Sequence, residues 1–102
     1  MQFFIRGKTV NEIIQLNGRL IEIAPYGKFF VDHRHNACNP KQWLIGYVIT
    51  EPQTGYMVSF DSTVHGAVAS AIVKFKRRGC AKLKEYITQT VNKHGVLNEV
   101  AR

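Results

Sequence analysis

The stretch Gln42-Trp43-Leu44-Ile45-Gly46-Tyr47-Val48-Ile49-Thr50, followed by Glu51-Pro52-Gln53-Thr54-Gly55 and then Tyr56-Met57-Val58-Ser59-Phe60, decides the fold. Its first part is rich in aromatic and β-branched residues, which fit a pleated, half-buried surface. Its middle has the proline and glycine of a five-residue hairpin loop. Its last part is short, apolar and able to pair back. Directly after it, Asp61, Ser62 and Thr63 offer side-chain oxygens that can cap the start of a helix.

Downstream of that junction the periodicity changes from two to helical. Val64, Ala67, Val68, Ala71, Ile72 and Phe75 fall at i, i+3, i+4, i+7, i+8 and i+11, one apolar face. Leu83, Tyr86, Ile87, Thr90 and Val91 form a second stripe, which Gly95 can end. The apolar positions keep helical phase through Gly79. A single helix of about 33 residues would be about 50 Å long, awkward for so small a domain. Two helices joined near Arg78-Gly79-Cys80 are therefore expected, with one kinked helix as the alternative.

Upstream, Lys28-Phe29-Phe30-Val31-Asp32 and Arg19 to Ala24 read as two strands around the turn Pro25-Tyr26-Gly27. Gln2 to Arg6 reads as a further strand. Thr9-Val10-Asn11-Glu12 has capping-box spacing. Val10, Ile13 and Ile14 follow at helical spacing before Gly18. Residues 10–17 are thus expected to form a short amphipathic helix. His33 to Pro40 reads as a polar loop. The expected architecture is an α+β domain in the order β-α-β-β-β-β-α-α. An antiparallel sheet of four or five strands would carry two C-terminal helices and the short N-terminal helix on one face. Residues 1–95 form the domain and residues 96–102 a tail, frayed or in contact with an edge.

The chain has 102 residues, 45% of them hydrophobic, enough for one domain with a real core. No apolar run reaches the length of a transmembrane helix, and the first residues hold no apolar run long enough for a signal peptide. Cys38 and Cys80 make no disulfide framework. A reduced, cytoplasmic protein is the expectation.

Fourteen Lys+Arg against seven Asp+Glu leave a net charge of +7. Residues 1–60 hold six of the basic residues and four of the acids; residues 61–102 hold eight and three. Lys74, Lys76, Arg77, Arg78, Lys82 and Lys84 lie within eleven residues that contain no acid. Such a cluster is a footprint for a polyanion or an acidic protein face, and equally the solvated face of a helix.

Templates for catalysis fit poorly. Gly7, Gly18 and Gly27 are isolated turn glycines, and no glycine-rich phosphate loop is present. Neither cysteine has the partner arrangement of a nucleophile. Asp32, His33, His35 and Cys38 include competent zinc ligands, but one irregular cluster lacks the paired spacing of a structural zinc site. Phe30-Val31-Asp32-His33 resembles the beginning of an HNH nuclease site, yet no ligating His or Asn follows on a helix. No enzyme activity, cofactor or metal is expected. Tyr47 and Tyr56 are candidates for an exposed, base-stacking sheet face, whereas Phe30, Trp43, Ile45 and Phe60 are expected in the core.

A compact sheet, the junction Ser59-Phe60-Asp61-Ser62-Thr63 and a helix pair resemble, over residues from about 42 to 94, some small phage-encoded anti-CRISPR proteins. The resemblance implies a single-domain, non-enzymatic inhibitor that docks on a host nucleoprotein complex. This chain departs from the many such inhibitors that are acidic and mimic nucleic acid. Its basic helices would instead face an acidic protein surface or bound RNA or DNA. Binding is expected to use Lys74, Lys76, Arg77, Arg78, Lys82 and Lys84, with Arg34 and His35 (and His33) as secondary contacts. Two other functions compete: direct, largely sequence-independent DNA or RNA binding by the same patch, and a metal-dependent nuclease at Asp32–Cys38. No membrane partner is expected.

Overall fold

A computed structural model describes residues 1–6, 12–35 and 45–99. Six strands and two helices follow in chain order: β1 (Gln2–Arg6), β2 (Ile13–Asn17), β3 (Arg19–Ile23), β4 (Gly27–His35), β5 (Ile45–Thr50), β6 (Met57–Asp61), α1 (Val64–Arg78) and α2 (Cys80–His94). The class is α+β, as the sequence implies. The strands divide into two antiparallel sheets, one of order β3-β4-β5-β6 and one ribbon of β1 and β2.

The β5–β6 hairpin forms where its composition placed it. Glu51 closes the loop: its backbone N–H donates to Tyr56 O at 3.0 Å, and its carboxylate accepts from the amides of Gln53 (3.1 Å) and Thr54 (2.6 Å). That carboxylate is buried and stands in for the water these loop amides would otherwise need. The junction to α1 behaves as cap chemistry. Thr63 Oγ1 accepts from Gly66 N at 3.0 Å, and Asp61 Oδ1 accepts from Thr63 N at 3.2 Å.

α1 and α2 lay their stripes on one face of the four-stranded sheet. Ala67, Ala71 and Phe75 of α1 and Leu83 and Ile87 of α2 share a core with Ile23, Phe29, Val31 and Ile49. The small alanines let α1 approach the strands. Phe75 fills the space beyond them, with its ring 5.0 Å from Phe29 and 4.8 Å from Tyr26.

Alternation along β4 sends Phe30 to the opposite face, where the β1–β2 ribbon covers it. Phe3 stacks on Phe30 with centroids 4.3 Å apart and planes 10° from parallel, a geometry worth about 1 kcal/mol beyond area burial. Phe3, Ile5 and Phe30 form this second core, flanked by Leu16 and Leu20. Gly18 joins ribbon to sheet. A Cβ there would strike the Val31 carbonyl oxygen and the Phe3 ring, so only glycine lets β2 turn into β3 at this depth.

Two expectations are corrected. Residues 13–17 of the expected N-terminal helix are strand β2, paired with β1 in the register Phe3↔Leu16 and Ile5↔Ile14; Val10 and Asn11 lie outside the described residues. His33-Arg34-His35 are the end of β4 rather than the start of a loop, opposite Tyr47, Gly46 and Ile45 of β5. The rest of that loop, with Cys38, and Trp43 lie outside the described residues. The side chain of Ile45 does too. Phe30 is buried as expected, while Phe60, Tyr47 and Tyr56 are half-buried.

The helix pair breaks at Gly79, with φ +83° and ψ 154°, and α2 ends at Gly95, with φ +82°. Beyond Gly95 the tail is in contact with an edge. Asn98 Nδ2 donates to Phe4 O and Pro52 O, both at 2.8 Å, and its Oδ1 accepts from Phe4 N at 2.9 Å. Leu97 N donates to Gln53 O at 2.9 Å. Among the described residues, no helix is long and apolar enough to cross a membrane.

A candidate polyanion-binding elbow

Gly79 gives α1 and α2 a common corner, and the basic cluster brackets it. A groove of about 720 Å³ opens beside this elbow, between the helix corner and the β6 edge of the sheet. Lys74, Arg77, Arg78 and Lys82 line it, together with Tyr56 and Tyr86. Met57, Val58, Phe75 and Leu83 add apolar lining, and the buried Thr54 and Glu51 complete it, the Glu51 carboxylate being engaged by the loop amides of Gln53 and Thr54. The corner thus turns four of the six clustered cations toward one concavity.

Individual positions follow from local structure. Lys74 Nζ donates to Val58 O at 2.6 Å, where β6 has a register irregularity against Ile49 and Thr50 of β5. One cation is therefore fixed against the strand edge, where a lysine also discourages strand addition. The Arg78 guanidinium lies over the Tyr86 ring, 5.2 Å from its centroid, a cation–π pair that spans the corner. Lys76 and Lys84 are exposed but are not among the groove residues.

Electrostatics treats the two halves of the cluster differently. Lys76, Arg77 and Arg78 lie in the last turn of α1, where cations complement the helix dipole. Lys82 and Lys84 lie near the start of α2, whose first turn contains no acid and whose N-cap, Gly79, makes no side-chain cap. There the dipole opposes Lys82, in the first turn, while Lys84 lies in the next turn. The helix dipole accounts for the first group and not for Lys82.

The secondary candidates lie elsewhere. His33 pairs with Tyr47 and Tyr47 with Asp61, so the end of β4 is beside the start of α1, at the opposite end of the helix from the elbow. His33 is exposed, and its ring lies 4.7 Å from that of Tyr47. The backbones of Arg34 and His35 continue that strand, and their side chains lie outside the described residues. Among the described residues, no three of His, Cys, Asp and Glu gather as metal ligands.

Sequence reasoning assigned Tyr86 to the apolar stripe alone and overlooked its place in the groove. A partial signal was present: Lys74 and Arg78 are four residues apart on α1, and Lys82 and Tyr86 four apart on α2, a spacing that puts each pair on one face of its own helix. Searches of family models, curated proteins and solved structures found no match to this chain.

Proposed function

We propose that the chain is a small non-enzymatic binding protein of phage or mobile-element type. It docks on a host nucleoprotein complex through the cationic elbow and thereby inhibits that complex. The observation that carries the reading is the convergence of Lys74, Arg77, Arg78 and Lys82 on one groove. Supporting it, Lys82 stands against the dipole of α2 in its first turn, a local cost that an anionic partner would remove. The resemblance of the sheet-then-helix-pair layout to anti-CRISPR proteins supplies the class of partner.

The test is capture from a host lysate by the intact chain and by a charge-reversed variant, Arg77→Glu with Lys82→Glu. The reading expects one defined set of subunits with its nucleic acid, retained by the intact chain and lost by the variant. Recovery of bulk nucleic acid alone, or equal capture by both proteins, would contradict it.

A further inference from the structure

Resting on that reading of the elbow, we infer that its occupant is the exposed single-stranded nucleic acid of such a complex rather than an acidic protein face. Charge alone does not separate these partners, because a carboxylate surface and a phosphate backbone both satisfy lysines and arginines. The interleaving of tyrosines with cations in the groove favours the nucleic-acid strand. Tyr86 leaves 40% of its surface exposed beside Arg78 and Lys82. The Arg78 guanidinium covers part of that ring, and the exposed remainder is open to a stacking partner.

An unpaired base is a flat π-face that stacks on a tyrosine ring and on an arginine plane alike. Arg78 and Tyr86 already meet each other 5.2 Å apart, so a base would extend that stack from an open side or take the place of Arg78 on the ring. Tyr56 offers a second, half-buried ring on the strand side of the groove. Cations interleaved with aromatics match an alternation of phosphate and base along one strand. A duplex would meet the cations only, since its bases are already stacked on one another. None of these contacts reads base identity, so the preference is for strandedness and not for sequence.

The experiment is fluorescence anisotropy with labelled oligo-U and oligo-dT 12-mers, a duplex of the same length and a polyglutamate peptide, each titrated with the whole chain. The single strands should bind best. At about −0.7 per phosphate for single strands, four lining cations give a slope of log affinity against log salt of about −3, so affinity should fall about fiftyfold between 50 and 200 mM salt. Tyr86→Ala should weaken single-strand binding about tenfold without changing that slope, whereas Tyr86→Phe should bind like the parent.

Duplex bound as tightly as single strand, or Tyr86→Ala without effect, would overturn the inference. Polyglutamate binding lost in Arg77→Glu with Lys82→Glu, with no single-strand binding, would overturn it while leaving the docking function standing. No binding of any polyanion would contradict both.

Discussion

At the residue scale, single side chains close joints that the strands and helices alone leave open. Asn98 is the clearest. Its amide takes both backbone groups of Phe4 and the carbonyl of Pro52, tying the tail to β1 and to the β5–β6 loop. Each net hydrogen bond contributes about 1 kcal/mol, and these are partly exposed. Asn98→Ala should therefore destabilise the fold by about 2 kcal/mol and speed amide exchange at Phe4, read by denaturant titration and by hydrogen exchange. An unchanged exchange rate at Phe4 would show that the clasp is ornamental. The sequence offered Asn98 no distinction, because its partners are 46 and 94 residues away along the chain. Thr63 was legible for the opposite reason, since its bond to Gly66 N is three residues long.

At the element scale, the break at Gly79 creates the elbow. Its φ and ψ lie in a region that is essentially glycine-only, and a Cβ there would meet nothing within 4 Å. Any effect of substitution is therefore carried by the backbone. Gly79→Ala should cost about 2 kcal/mol of stability, measured by thermal or urea unfolding. A continuous helix would instead gain about 1 kcal/mol from the same change, so the sign alone decides between the two arrangements. The helices were readable because caps, stripes and terminal glycines agree. The N-terminal segment was misread because Ile13 and Ile14 satisfy a helical spacing as well as a strand. The choice was made by pairing with β1, which places Leu16 opposite Phe3 near Phe30. That contact is tertiary, and nothing local encodes it. His33–His35 was misread similarly: polar residues continue β4 because β5 runs alongside them.

At the scale of the whole molecule, two sheets and two helices build a three-layer body in which polar and apolar demands are met on different sides. The β1–β2 ribbon covers one face of the four-stranded sheet and the helices cover the other, leaving the basic cluster on the helix corner. Half of the candidate site was therefore visible in advance, as six cations in eleven residues. Tyr56 was also named from the sequence, as a candidate stacking residue; what was not visible is that the strand edge brings it to the same groove, which depends on how β6 packs beside α1. The most direct test of the elbow as the binding surface is to follow backbone amide chemical shifts by two-dimensional NMR while titrating unlabelled oligo-dT 12-mer into the isotope-labelled chain. The account predicts shifts concentrated at residues 56–58 and 74–86, with His33 and the β1–β2 ribbon unmoved. Shifts centred on the ribbon or on the end of β4, or no shifts at all, would contradict it.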